Sequence, residues 1–204
     1  MRHHCIGCWF REAWQSGSCR RVNTRERVLQ HLLTHSVRTG DFTLKSGRKS
    51  NWFIDSKQTI CAPDAMVDVA ELVLERLDAS VTAIGGLTMG ADGVSFITAG
   101  VAGTKGRGLS AFSVRKETKD HGAGGRIAGH LQPGDRVVIT EDTVTRGTSL
   151  LEAAKVVQEF GCEVVLLLAV VDRGGTATAM AADVGLRFEA LFAAPDFGFD
   201  YEGA

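Results

Sequence analysis

The sequence predicts an α/β domain with a mostly parallel central sheet flanked by helices. Two observations carry this. Short apolar, β-branched runs alternate along the chain with stretches at helical spacing, the pattern of strands joined by crossover helices. The run Val137-Val138-Ile139-Thr140 shows no polar alternation, as expected for a strand covered on both faces. It leads into Glu141-Asp142, then Thr143-Val144-Thr145-Arg146-Gly147-Thr148-Ser149, then a helical pattern over 150–160. Ligands of open α/β sheets bind beyond the carboxyl ends of the strands. There a helix N-terminus turns free N–H groups and a positive dipole end toward an anion.

The whole chain sets bounds. Its 204 residues suit one domain with a sizeable core, here 23–204, behind an extension of residues 1–22. A formal net charge of −1 and a pI near 6.6 argue against a nucleic-acid binder. No apolar run is long enough for a membrane span. Residues 1–20 are interrupted by Arg, Glu, Gln and His, unlike a signal peptide. Five cysteines are an odd count, and Cys61 and Cys162 sit inside α/β patterning. Reduced thiols and a cytoplasmic setting follow. No repeat is seen, and three prolines leave no Pro-rich linker.

The extension carries His3, His4, Cys5, Cys8 and Cys19 without a clear period. Cys5-x-x-Cys8 resembles half of a zinc site, but the second pair of ligands is missing, and residues 1–22 are expected to be disordered. Asn23, with Glu26 three residues on, reads as a capping box. Val28, Leu29, Leu32 and Leu33 then form one face of a helix ending before Gly40. Residues 40–55 mix glycines, cations and aromatics and read as a hairpin with a basic turn. Pro63 is expected to open the next helix. Its core face would be Met66, Val69, Ala70, Val73, Leu74 and Leu77. A strand over 81–84 precedes a glycine-rich loop over 85–92, where backbone can approach a ligand closely. Another strand covers 109–114. On composition, 115–127 is a solvated loop, although Arg115, Lys116, Lys119 and His121 crowd into it. A strand over 163–171 ends in Asp172-Arg173-Gly174-Gly175, and a helix over 176–182 and a strand over 186–193 follow.

The acidic pair decides which anion fits. Two carboxylates repel a bare phosphate, but they accept hydrogen bonds from sugar hydroxyls while the turn holds a phosphate. A sugar phosphate is therefore expected. No Gly-x-x-x-x-Gly-Lys-Ser/Thr is present at this turn, which argues against a nucleoside-triphosphate loop.

Residues 137–149 resemble the phosphoribosyl-pyrophosphate (PRPP) motif of type I phosphoribosyltransferases. Three further stretches resemble orotate phosphoribosyltransferases. They are Leu44-Lys45-Ser46-Gly47-Arg48 with the aromatic strand after it, Gly85-Gly86-Leu87-Thr88-Met89-Gly90-Ala91-Asp92, and Arg115-Lys116-Glu117-Thr118-Lys119-Asp120-His121-Gly122-Ala123-Gly124-Gly125. The last is the most family-specific, and the resemblance covers about residues 23–193.

The resemblance implies the type I phosphoribosyltransferase fold, with a small N-terminal hood and a flexible catalytic loop. It implies transfer of the phosphoribosyl group from PRPP to orotate, giving orotidine 5′-monophosphate and pyrophosphate in de novo pyrimidine (UMP) synthesis. Catalysis is then expected of Lys119, His121, Asp142 and Glu141. PRPP would be held by Arg115, Lys116, Lys119, His121, Glu141, Asp142 and the turn Thr143, Val144, Thr145, Arg146, Gly147, Thr148 and Ser149. Orotate would meet Lys45, Phe53, Ile54, Thr145 and Arg173. Mg²⁺ would arrive mainly on PRPP, with no metal site of the protein's own, and the enzyme would be a homodimer with shared active sites. Two departures stand out: Gly93 where many relatives have proline, and Arg146 where they carry Thr, Ser or Ala. A phosphoribosyltransferase for another base, or a regulator that binds PRPP or nucleotides, stays open as an alternative. Lys45, Arg173 and the loop at 115–125 favour a carboxylated pyrimidine. Lys119 and His121 favour an enzyme, because a pure binder has no leaving group to stabilise. A fused orotidylate decarboxylase is excluded by length.

Overall fold

The computed structural model describes residues 23–43, 47, 49–119 and 125–203, with 118 and 119 described by their backbone alone. The extension 1–22, Lys45, His121 and the side chain of Lys119 lie outside the described residues.

Helix α1 (Thr24–His31) starts as its sequence demands. Asn23 Oδ1 accepts from the Glu26 N–H at 2.8 Å, and Glu26 Oε2 accepts from the Asn23 N–H at 3.2 Å. A π-helical turn, Leu32–Ser36, delivers the chain into the hairpin of β1 (Val37–Thr43) and β2 (Lys49–Ile54). These strands pair antiparallel and form a two-stranded sheet of their own, the hood that the sequence predicts. Next come α2 (Lys57–Ile60) and α3 (Met66–Leu74). Pro63 does not open α3. It sits in the turn before it, where the Ala62 carbonyl accepts from the Met66 N–H at 2.8 Å. Val69, Ala70, Val73 and Leu77 are buried as expected, together with Leu72, whereas Met66 and Leu74 are only half-buried.

The main sheet contains β3 (Ala83–Leu87), β4 (Ser110–Lys119), β5 (Gly125–Gly129), β6 (Arg136–Val144), β7 (Glu163–Asp172) and β8 (Phe188–Ala193). Its order is β5-β4-β3-β6-β7-β8. All neighbours are parallel except the β4–β5 edge. Crossovers run through α4 (Asp92–Thr104), α5 (Thr148–Glu159) and α6 (Ala177–Asp183). Alternate residues feed two separate cores, as the two-residue period of a strand requires. Val138, Leu166, Leu168 and Val170 join the core that includes Val28, Val69, Val73 and Val94. Val137, Ile139, Leu167 and Ala169 join the core that includes Leu150, Ala153, Val157 and Ala181.

Three expected boundaries shift. β3 runs through Gly85 and Gly86, which were expected in a loop. A Cβ on Gly85 would lie 2.4 Å from the Phe112 carbonyl oxygen, and one on Gly86 would lie 2.3 Å from that of Thr140, so side chains are excluded here by the neighbouring strands. β4 continues through Lys119 and forms an irregular hairpin with β5, so Arg115 and Lys116 belong to a strand rather than a loop. β6 extends through Glu141 and Asp142, because β7 supplies partners for it as far as Val144↔Asp172.

Candidate active site

A cavity of about 1050 Å³ opens at the carboxyl ends of β6 and β7, beneath the β1–β2 hairpin. Its wall is built from three directions. The hairpin brings Phe53 and Ile54, the chain after it brings Ser56 and Lys57, and β6 with its turn brings Glu141 through Leu150. Arg173 comes from the end of β7. This is the topological position where parallel sheets bind ligands.

The turn is shaped by Gly147, which caps α5 with φ 82° in the left-handed region that glycine adopts without strain. Val144 is buried in the core, so only its backbone can serve a ligand, while Arg146 and Thr148 are exposed and Thr145 and Ser149 half-buried. The N-terminal N–H groups of α5 and its dipole thus face the cavity with hydroxyls beside them.

The two acidic residues have different environments. Asp142 is gripped on both oxygens. Oδ2 accepts from Lys57 Nζ and from Ser56 Oγ at 3.2 Å, and Oδ1 accepts from the Thr143 N–H at 2.8 Å. Glu141 has a buried Oε2 with no partner among the described residues, and it packs so tightly under Gly90 that a Cβ there would meet Oε1 at 1.6 Å. Burial, then the charge of Asp142 and a hydrogen bond to it, push the Glu141 carboxyl up to about 8 against the pull of Lys57 and Lys116. Burial and the neighbouring carboxylate thus favour the protonated form of Glu141 in the ligand-free protein. For Lys57, burial lowers the ammonium pKa. The hydrogen bond to Asp142 and the charges of Asp142, Glu141 and Asp55 together outweigh burial and raise it.

Arg173 is not the surface cation that its position after a strand suggests. It is buried, and Nη2 donates to Glu202 Oε2 at 2.5 Å and to the Trp52 carbonyl at 3.5 Å. The guanidinium carbon lies 5.3 Å from the Trp52 ring centroid and 5.8 Å from that of Phe53. Ile54 belongs to the core, so it offers the cavity mainly backbone, whereas the Phe53 ring is exposed and lies 5.8 Å from that of Phe42.

Of the predicted site, Phe53, Ile54, Glu141, Asp142, Arg173 and the whole turn 143–149 are brought together. Arg115 and Lys116 are not in this wall. They sit on β4, where Arg115 Nη1 donates to the Gly125 carbonyl at 3.3 Å. Sequence reasoning missed Lys57, Ser56 and Glu202. Asp55-Ser56-Lys57 directly after the aromatic strand was the available signal for the first two. Nothing in the tail singled out Glu202.

The orotate phosphoribosyltransferase of Rhodopseudomonas palustris (strain TIE-1) is 40% identical over 179 residues, which cover 85% of this chain and 96% of that protein. The chain belongs to the orotate phosphoribosyltransferase family. Among solved structures, Mycobacterium tuberculosis H37Rv orotate phosphoribosyltransferase in complex with Fe(III) dicitrate superposes with a TM-score of 0.77 at 34% identity, covering 87% of this chain and 100% of that one. The same enzyme in complex with PRPP gives a TM-score of 0.73 at 31% identity, with coverage of 87% and 100%. No protein-family model matches the chain. The type I phosphoribosyltransferase fold expected from the motifs is thus the fold of this family member, with a mostly parallel sheet and a two-stranded hood.

Proposed function

We propose that this protein transfers the 5-phosphoribosyl group of PRPP to orotate, giving orotidine 5′-monophosphate and pyrophosphate in de novo pyrimidine synthesis. The observation that carries the reading is one cavity that holds an acidic pair, a helix N-terminus and a buried arginine. The helix end with Thr145, Thr148 and Ser149 suits the 5′-phosphate. Asp142 and Glu141 suit the ribose hydroxyls, and Arg173 suits the carboxylate of the base through a planar fork. Lys45 is placed on the base as well, by resemblance alone.

Breaking the bond from C1′ to pyrophosphate builds positive charge on the ribose and negative charge on the leaving group. Asp142, held by Lys57 and Ser56, presents a fixed carboxylate to the sugar. Glu141 gives up its proton when a sugar hydroxyl or a cation replaces the hydrogen bond to Asp142. Fixing the 5′-phosphate and the base at opposite ends sets C1′ against the attacking nitrogen. Lys116, Lys119, His121 and the partner subunit's Arg115 neutralise the departing pyrophosphate in this reading, which makes the enzyme a homodimer with shared sites.

A divalent ion fits the acidic pair. The unpartnered Glu141 Oε2 is a hard oxygen donor beside a second carboxylate. No group of three or more metal-binding side chains exists among the described residues, so most ligands would come from PRPP. Bound there with PRPP, Mg²⁺ would supply positive charge to offset the charge that develops on the leaving group. Among the described residues no helix is long and apolar enough to cross a membrane. Cys61 and Cys162 are free thiols, in keeping with a cytoplasmic enzyme.

The test is release of pyrophosphate from PRPP and Mg²⁺ with orotate, against uracil and adenine. Turnover with orotate alone is expected. Equal turnover with either control base would overturn the assignment of the base.

A further inference from the structure

We propose that Glu202, near the end of the chain, is a positioning residue for base recognition: it holds the Arg173 guanidinium in the plane that the base's carboxylate requires. This rests on the reading of Arg173 as the partner of that carboxylate.

The contacts form a built clamp. Glu202 and Arg173 are 11% and 7% exposed at their side chains, so the pair is shielded from water. Glu202 uses both oxygens. Oε2 accepts from Arg173 Nη2 at 2.5 Å, and Oε1 accepts from Ser50 Oγ on the hood. The tail is fixed by backbone as well, with the Glu202 N–H donating to the Arg173 carbonyl and the Gly203 N–H to the Gly174 carbonyl, both at 3.1 Å. Phe199 stacks on Trp52 with ring centroids 4.6 Å apart, and Trp52 in turn underlies the guanidinium. One carboxylate thereby ties three separate pieces together: the hood, the turn after β7 and the tail.

The guanidinium is held in this plane at a cost. Arg173 Nε is buried and has no partner among the described residues. A buried donor left unpaired favours any rotation that reaches an acceptor or water. Glu202 opposes that rotation, and because Arg173 lines the ligand cavity, the plane it fixes is the one presented to the ligand. Glu202 also offsets part of the arginine's charge, which alone would weaken the pull on an anion. With Nη2 held by Glu202 and the Trp52 carbonyl, the direction in which the remaining N–H groups meet a carboxylate is set by this plane, and a charge-assisted hydrogen bond depends steeply on that direction, so the positioning effect dominates.

The experiment is steady-state kinetics on the full chain with Glu202→Ala, Glu202→Gln, Arg173→Lys and the double variant Arg173→Lys/Glu202→Ala. Removing a charge-assisted anchor should raise the KM for orotate in Glu202→Ala about ten-fold or more. The KM for PRPP should stay within about two-fold, because the phosphate turn is untouched. Glu202→Gln still offers an oxygen to Arg173 and an N–H₂ to Ser50, and should fall within about three-fold of wild type in orotate KM. The double variant should be no worse than Arg173→Lys, since Glu202 acts only through that guanidinium. A merely structural tail would move both KM values and give additive losses, which overturns the proposal. A fall in orotate KM in Glu202→Ala would also overturn it, because the tail would then be competing with the substrate. If Arg173→Lys leaves orotate KM unchanged, the reading of Arg173 itself fails and this proposal fails with it. If Arg173→Lys raises it and Glu202→Ala does not, only the role of Glu202 is lost.

Discussion

Replacing Glu141 by glutamine should stabilise the ligand-free protein at high pH while crippling the enzyme. Burial, then Asp142, push the Glu141 carboxyl from the ordinary 4.5 up to about 8. A raised pKa means that the folded chain holds a proton the unfolded chain releases. The stability linked to it is fully present below about pH 4.5 and is lost as pH rises through about 8. Each pH unit in that window is worth about 1.4 kcal/mol. The full window is therefore worth roughly 3–5 kcal/mol, or roughly 10 °C of melting temperature for a chain of this length. Glutamine keeps the shape and the donor to Asp142 but cannot ionise. Melting curves of wild type and Glu141→Gln in metal-free buffer at pH 5, 7 and 9 measure the effect. Near pH 5 the two should melt within a few degrees of each other, and the gap should widen steadily toward pH 9 in favour of the variant. Parallel curves at all three pH values would refute the reasoning, because Glu141 would then be ionised in the free protein at neutral pH.

Asp142→Asn removes the fixed charge beside the sugar and should lower orotate turnover by about a hundred-fold or more, read by pyrophosphate release, with the fold retained. Arg146 is exposed at the cavity rim, so Arg146→Thr should change the apparent affinity for PRPP by less than about ten-fold; a larger loss would place the guanidinium on the phosphate. If the segment 115–125 serves the partner's site, mixing Lys119→Ala with Asp142→Asn after subunit exchange should restore about a quarter of wild-type activity, because half the dimers are mixed and half of their sites intact. Activity that stays at the sum of the two mutants, with exchange shown independently, would confine the segment to its own subunit.

The parts of the site that are local in sequence were legible in the residues themselves; Phe53, Ile54 and Arg173 were reached only through the resemblance, and the tertiary pairs that hold the site were not legible at all. Residues 137–149 announce strand, acids, turn and helix within one stretch, because each residue type there is needed by its immediate neighbours. The reach of β6 was misread for a related reason. Acidic residues are poor strand formers, and only the pairing with β7 carries the strand on to Val144. Gly85 and Gly86 look like a loop until Phe112 and Thr140 are seen pressing on them from adjacent strands. Lys57 meets Asp142 across 85 positions and Arg173 meets Glu202 across 29. No periodicity encodes such pairs; they exist because the hood and the tail close over the same sheet edge.

Those two pairs also determine what an arriving substrate encounters. Lys57 is matched by Asp142, Arg173 by Glu202, and Glu141 carries a proton. The inner wall of the free cavity therefore offers an arriving anion little unpaired positive charge, and Asp55 adds a further carboxylate to it. Arg38 and Arg146 line it as well and make no ion pair among the described residues, so they are the unpaired cations at the opening. Long-range attraction then falls to these rim residues, where screening by salt is strong. In the proposed reading, selectivity inside the cavity comes from exchange rather than from raw charge. A sugar hydroxyl would take over the hydrogen bond between Glu141 and Asp142, and a carboxylate would meet an arginine whose Nη2 is already held by Glu202 and the Trp52 carbonyl.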